Sequence, residues 1–462
     1  MQRILISPKE AYLIRYDAAN GNQVWQEPLQ SAGIPGQLVA DEAGGLYMVS
    51  NVQGGTQLAR YGAADGSLHW SSLQQGSFAA LDTDEAGHAY LGVTLSDAAF
   101  AVGRYSATNG EQVWEYASQE DSTYVLDGVK VSEAGTLHLT GTSGGVDSHL
   151  FVASLQTATG TLVFNTTFIH TLPGIDQPAN MVTDNDGNVY VTATSGNPDA
   201  SRPYQHAFLL KYSPDGELLW NRQFYNSDVR QSKHLAVDAA GAVYMMLSVY
   251  GSDARPQIRQ LKLSGATGET IWEQEHGPTD ANLGREIQLD QLGNLYIMGT
   301  VSPQFDLPQE DFLIKVDTET GQELWTKRYG RQDSDSDLNE LVAFALDETG
   351  DVYVTGTARA PAVVNNLALA KYAGGDGSVL WNEIYNSSNR QTEHQVTGIA
   401  VDTTSGVYLA ALDILDTGEH VAYLLKFEAA SGAFVWRQPT IDEVTNSGSL
   451  SNLILDNAGG AT

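Results

Sequence analysis

The stretch DETGDVYVTGTARAPAVVNNLALAKYAGGDGSVLW, from Asp347 to Trp381, is a repeat unit, and weaker copies of it run from one end of the 462-residue chain to the other. A unit of this length sets architecture more firmly than any single motif, because one copy cannot bury its apolar faces and must stack on its neighbours. The tryptophans measure the period. Trp25, Trp70, Trp114, Trp220, Trp272, Trp325, Trp381 and Trp436 are all eight tryptophans of the protein, and with Phe164 filling the one gap they step by 45, 44, 50, 56, 52, 53, 56 and 55 residues. Each follows a turn ending in glycine: Asn20-Gly21, Asp65-Gly66, Asn109-Gly110, Thr159-Gly160, Asp215-Gly216, Thr267-Gly268, Thr320-Gly321, Asp376-Gly377 and Ser431-Gly432. Glycine there supplies the positive φ that closes a hairpin between a third and a fourth strand.

A second anchor lies upstream. Asp41, Asp84, Asp184, Asp238, Asp290 and Asp347 each have a glycine three residues later and a tyrosine six residues later. Ser132-Gly135-His138 is a degraded copy, and Asp402 to Tyr408 is another, with its glycine shifted to Gly406. The aspartate accepts backbone N–H groups while glycine takes the left-handed position, so each copy reads as a tight turn between a first and a second strand. This is more economical than a row of metal-binding aspartates. Short apolar or alternating bursts such as NVYVTA, AVYMML, NLYIMG, FLLKY and FLIKV surround the turns, with no helical period.

Four strands per unit and many units give an all-β fold, a β-propeller of four-stranded antiparallel blades. The last residues, LILDNAGGAT, spell a first strand and its turn, and the first residues supply RILIS, EAYLIRYD and NQVW, a second, third and fourth strand. Joined, they make one composite blade. Eight complete units plus this one predict about nine repeat units in a single β-propeller domain over residues 1–462. The alternatives are an eight-bladed ring with a displaced end and a slice through a longer array.

Apolar residues make up 42% of the chain and charged residues 17%, with 46 glycines, which suits a turn-rich β protein with a packed core. The net charge of −32 opposes phosphate backbones and anionic lipid, so no nucleic-acid partner and no membrane insertion are expected. Without cysteine there is no disulfide, thiol nucleophile or thiolate zinc site. The N-terminus has only the short apolar run ILI, so no signal peptide is read in the chain as given.

The unit DETGDVYVTGTA, with LALAKY and GSVLW, resembles the bacterial SBBP family of β-propeller repeats, most strongly from Asp184 onward and most weakly between Ala79 and Thr167. The Thr-Gly-x-x-x-Trp tails ending at Trp272 and Trp325 look like those of quinoprotein-type (PQQ-like) propellers. The first resemblance implies an exported, extracellular or cell-surface bacterial protein. The second implies a quinone held between a tryptophan floor and a vicinal cysteine pair; this chain has no cysteine and places every tryptophan in a packing slot, so no cofactor is expected.

Ligands of propellers gather at the mouth of the central channel. Four residues before the turn aspartate stand Gln37, Ala80, Gly128, Asn180, His234, Glu286, Ala343, Gly398 and Asn452, small or polar in every unit. Gln37, Asn180, His234, Glu286 and Asn452 are the channel-mouth candidates, with His234 and Glu286 in adjacent units and able to share a proton or a ligand. A solvated channel lip is the plain alternative. The loops YNSDVRQSKH and YNSSNRQTEH, with a shorter echo at Tyr329, set Arg230, Arg331 and Arg390 as rim candidates for carboxylates or sulfated sugars. Shared ancestry of duplicated blades explains the same likeness. Asp333, Asp335 and Asp337 alternate oxygens as a calcium loop does and are a weak calcium candidate; Leu338 and Phe344 replace the glycine and glutamate of an EF-hand, and a solvated acidic loop is the plain alternative.

No nucleophile elbow, phosphate loop or HExxH motif appears. The sequence favours a non-enzymatic scaffold binding a protein or glycan. The alternative is a channel-mouth enzyme, either a carbohydrate lyase or hydrolase or a quinone-dependent oxidoreductase.

Overall fold

The computed structural model describes residues 2–6, 11–28, 34–41, 44–95, 99–118, 123–144, 148–169, 175–196, 206–225, 229–250, 256–277, 282–301, 310–330, 338–359, 365–385, 392–402, 406–415, 420–439 and 449–454. Within them thirty-six strands form nine four-stranded antiparallel sheets, the blades of a propeller. Blade 1 is the expected composite: Ser449–Ile454 pairs beside Gln2–Ile6, with Gln2 opposite Ile454 and Ile4 opposite Asn452. Blades 2 to 9 follow as residues 34–74, 77–117, 124–168, 175–225, 229–276, 282–329, 338–385 and 392–439.

Strand position dictates residue choice. The second strand lies between two neighbouring blades, so both of its faces are covered: every residue of Val189–Gly196 is buried. Such a strand reads as a continuous apolar run rather than an alternating one. The fourth strand is outermost, where blade faces diverge, and in Gln23–Pro28 only Trp25 is buried. The cores therefore lie between blades, and nine of them make a circuit. Leu13 and Trp25 of blade 1 pack on Leu38 and Leu46 of blade 2. The series continues until Tyr408, Leu424 and Trp436 of blade 9 pack on Ile14, Tyr16 and Ala18 of blade 1.

A repeated bond accompanies each core. The indole N–H of every tryptophan donates to a backbone carbonyl in the 3–4 turn of the next blade, three residues before that turn's glycine. Trp25 reaches Ala63 O at 3.1 Å, Trp70 Ala107 O at 3.0 Å and Trp114 Thr157 O at 2.9 Å. Trp220 and Trp272 reach Gly265 O and Thr318 O, both at 3.0 Å, and Trp325 reaches Gly374 O at 3.2 Å. Trp381 donates to Ala429 O at 3.1 Å, and Trp436 joins the last blade to the first at Ala18 O, 3.4 Å. The turn glycine then lies under the indole: a side chain at Gly377 would run into the Trp325 ring. Its φ is +70°, so it is glycine both for backbone freedom and for the space the indole takes.

The aspartate turns behave as the sequence implies. Asp347 Oδ1 accepts the N–H of Asp351 at 2.9 Å while Gly350 adopts φ +81°. The second carboxylate oxygen is also engaged: Tyr190 donates to Asp184 Oδ2 at 3.0 Å, Tyr244 to Asp238 Oδ2 at 3.0 Å, and Arg60 to Asp41 Oδ2 at 2.8 Å. These aspartates are architectural.

Two glycines of one turn, Gly375 and Gly377, test the clamp. Gly377→Ala should lose about 2–3 kcal/mol, from left-handed strain plus the indole clash. Gly375→Ala, where an added Cβ meets nothing within 4 Å, should stay within about 0.5 kcal/mol. Urea denaturation of both variants measures the difference, and equal losses would refute the clamp.

Candidate functional site

The first strands of successive blades lie against one another and form the inner wall of the ring. Each carries a register shift at an equivalent place: between Pro35 and Gln37, Phe78 and Ala80, Leu126 and Gly128, Pro178 and Asn180, Gln231 and His234, Gly284 and Glu286, Leu341 and Ala343, and Val396 and Gly398; the strands of blades 6 and 8 have a second shift nearer their start. In blade 1 the shift falls between Leu450 and Asn452. A bulge bends the strand and re-aims its side chains. The position four before the turn residue is thus the first paired residue after an extra one, and it is half-buried in blades 2 to 9.

The structure puts Gln37, Asn180, His234 and Glu286 at this level of the wall. Gln37 donates to Leu81 O of the next blade at 3.4 Å. Asn180 Oδ1 accepts the N–H of Met181 at 2.8 Å. Glu286 accepts from Gln288 Nε2 at 2.6 Å, within its own strand, while His234 sits opposite Met246. Asn452 is placed by its backbone, opposite Ile4, and Arg230 by the strand Val229–Val237. Arg331, Arg390, Asp333, Asp335 and Asp337 lie outside the described residues.

The extra residue of each bulge is a second wall position that strict alternation hides. It is Asp127 in blade 4 and Arg285 in blade 7. Arg285 bridges blades, donating to Leu341 O at 2.8 Å with Asp311 Oδ1 3.5 Å away. Two residues beyond Gly128 toward the 1–2 hairpin, Lys130 pairs with Asp82 of blade 3 at 3.2 Å, and Asp82 also accepts Val131 N–H at 2.7 Å. Asp127 is different. It is accessible from the channel and lines a cleft of about 260 Å³ between blades 4 and 5, with Gly128, Lys130, Thr140, Asn180 and Met181. The protein around it pushes its carboxyl up to about 6. The signal was present in the sequence as two successive non-core positions, such as Asp127-Gly128 and Arg285-Glu286, where alternation requires one.

A polar network also closes the far end of blade 9, tying all four of its strands. His394 Nδ1 lies 2.6 Å from Asp413 Oδ1 and 3.0 Å from Tyr423 Oη, and Arg437 donates to Asp413 Oδ2 at 2.7 Å. Burial alone would raise the Asp413 carboxyl, but its hydrogen bonds from His394 and Tyr423 and the Arg437 charge hold it below the usual range. The chain does not fit a quinone of the quinoprotein type: all eight indoles are bonded between blades, and there is no cysteine.

The Asp127 carboxyl gives a pH test. With its folded value raised, the folded state holds the proton more tightly than the unfolded chain, so stability falls as pH rises from about 4 to about 6. Asp127→Asn should therefore melt higher than the parent at neutral pH and equal to it near pH 4. Thermal melts across that range check it.

Among solved structures, the quinohemoprotein alcohol dehydrogenase of Comamonas testosteroni aligns over 94% of this chain and 69% of its own, with 11% identity and a TM-score of 0.45. The Dos1 propeller aligns over 88% and 95%, with 9% identity and a TM-score of 0.49. AztD of Citrobacter koseri aligns over 98% and 99%, with 10% identity and a TM-score of 0.46. No curated protein matches. The profile of one family, described as outer membrane protein assembly factor BamB, matches residues 9–202, 98–293 and 179–455. Those spans overlap because a profile of several blades can be laid on a ring of similar blades in more than one register, and together they cover most of the sequence. The chain belongs to this BamB family of PQQ-like propeller repeats.

Proposed function

We propose that the protein is a non-enzymatic interaction scaffold, exported to the bacterial envelope or surface, acting as one domain that offers its faces to a protein or glycan partner. The observation that carries this reading is how the recurrent chemistry is used. The aspartate, tyrosine, lysine and tryptophan that recur from blade to blade are bonded to one another or to the next blade's backbone. Lys211, for example, lies 3.4 Å from Asp184 and donates to Gly265 O at 2.9 Å. What varies between units is the sequence of the 2–3 and 4–1 connections, and the strand ends that they join lie on one face. The family description, an assembly factor of the outer membrane, supports an envelope setting. Within that family we read the units as SBBP-like.

A photo-crosslinking residue placed at exposed apolar positions tests the reading. Ile169 and Leu73, 70% and 57% exposed, report on the face of the long connections, and Leu292, 66% exposed, on the opposite face. A scaffold should give one discrete adduct in intact cells from one face only. No adduct from any position, together with turnover of a polysaccharide by the purified chain, would favour the channel enzyme instead. The stretch with Asp333, Asp335 and Asp337 is our candidate for calcium; a melting temperature unchanged by chelator would remove it.

A further inference from the structure

Eight junctions of the ring share the indole-to-carbonyl bond, and the junction between blades 4 and 5 does not. Phe164 takes the tryptophan's place and has no donor; its ring covers Gly216. The receiving turn is shorter, with Gly216 N–H bonded to Ser213 O rather than four residues back as Gly377 is to Ala373 O. Blade 4 also has Ser132, His138 and Ser154 where blades 2, 3 and 5 to 9 have aspartate, tyrosine and lysine or arginine. His138 Nδ1 lies 2.6 Å from Ser154 Oγ, so no ammonium crosses to blade 5 there. The cleft in the channel wall opens at this same seam.

The chemistry of the cleft is asymmetric. Asp127 makes no hydrogen bond or ion pair among the described residues. Lys130, the cation beside it, is matched by Asp82 of blade 3, which leaves the Asp127 charge uncompensated. Blade 5 faces it with Pro178, Ala179, Asn180 and Met181, and the second strand of blade 4 with Thr140, none of them charged. A side chain on Gly128 would press on Thr140 Oγ1, so glycine keeps the floor open. One carboxylate, an amide and a hydroxyl beside the Pro178 and Met181 side chains suit an ammonium on a short alkyl chain. Calcium takes six to eight oxygens, a set richer than this cleft offers. The charge of −32 concentrates cations near any such opening.

We propose that the channel cleft at the seam of blades 4 and 5 binds a small organic cation, a primary alkylammonium, with Asp127 as its counter-charge and with the ligand bridging the two blades that lack the indole bond.

Titration calorimetry with putrescine as the probe, and with 1,4-butanediol as its uncharged analogue, tests this. Putrescine should bind saturably at one site near pH 7.5 and about tenfold more weakly near pH 5, where most of the Asp127 carboxyl carries a proton. Asp127→Asn should weaken binding at least about tenfold, as removal of a charged partner does. Asn180→Asp should strengthen it, and Glu85→Gln, which removes an exposed charge from a distant turn, should leave it unchanged. The inference is overturned if wild type shows no saturable binding or butanediol binds as well. It is equally overturned if Glu85→Gln matches Asp127→Asn, or if calcium displaces putrescine stoichiometrically. Asp127→Asn is expected to melt no lower than wild type, so loss of binding in it cannot be loss of fold. The outcome is independent of whether the loop faces carry a partner.

Discussion

A wedge of nine blades must hold its faces together where they diverge most, at the periphery. Aliphatic side chains fill the inner part of each gap; only a long, flat one spans the outer part. Tryptophan does, and its N–H then has to find an acceptor in a dry interface, since a buried unpaired donor costs about 1–3 kcal/mol. The carbonyl in the next blade's turn is that acceptor. In blades 5, 6, 7 and 9 the same oxygen also takes a lysine ammonium: Lys211, Lys262, Lys315 and Lys426 reach it at 2.9, 2.9, 2.7 and 2.6 Å. Once the indole lies on the turn there is no room for a Cβ, and the glycine follows from the tryptophan. The lysines are almost fully buried, and their attraction to the turn aspartates offsets a desolvation cost rather than adding much stability. Desolvation accordingly lowers the Lys315 and Lys426 ammonium groups. Their contribution is geometric: a charged group with one acceptor geometry fixes how one blade is offset from the next.

That dependence explains why the exceptional blade departs at several positions at once. Removing the aspartate alone would strand a buried lysine, and removing the tryptophan alone would leave a carbonyl half-used. Blade 4 replaces the set, with Ser132, His138, Ser154 and Phe164, so that none of these four positions carries a charge to be compensated. His138 is consistent with this: burial pushes it down to about 4, and it sits as a neutral ring against Ser154. The inner part of the seam is packed with Leu150 and Val152 against Val189 and Phe208, and at its far end the buried Asp176 of blade 5 accepts Leu150 N–H at 3.3 Å and donates its own N–H to Ser148 O at 2.9 Å. What it lacks is the indole bond to the next blade's 3–4 turn.

The features legible in the sequence were those enforced by this local logic. The tryptophan ruler, the glycine turns and the split unit at the two ends all appear where the residues place them, including the pairing of Ile4 with Asn452. The channel wall was read one residue short, because the rule of alternating faces assumes an unbroken strand and each first strand has a bulge. In blade 4 the alternation lands on Gly128, which is no candidate, and passes over Asp127 beside it. The four-strand network of His394, Asp413, Tyr423 and Arg437 was invisible for another reason. Its members are 19, 29 and 43 residues from His394, and no repeat predicts them, since it occurs in one blade.

A ring of equal units offers equal sites, and a ligand that must choose one place needs the equality broken. Here the break is concentrated on one arc. Each of blades 3 to 7 puts at least one charged or polar residue on the described wall, Asp82, Asp127 and Lys130, Asn180, His234, and Arg285, Glu286 and Gln288, whereas blade 8 offers Val342, Ala343 and Ala345, and blade 9 Thr397, Gly398 and Ala400. The seam of blades 4 and 5 lies inside the polar arc, and the residues that changed there are those that would otherwise have fixed both blades to each other. In the channel wall of the same blade one acidic group, Asp127, stands without a hydrogen bond or ion pair among the described residues. Departures from the repeat, rather than the repeat, are where such a ring acquires chemistry.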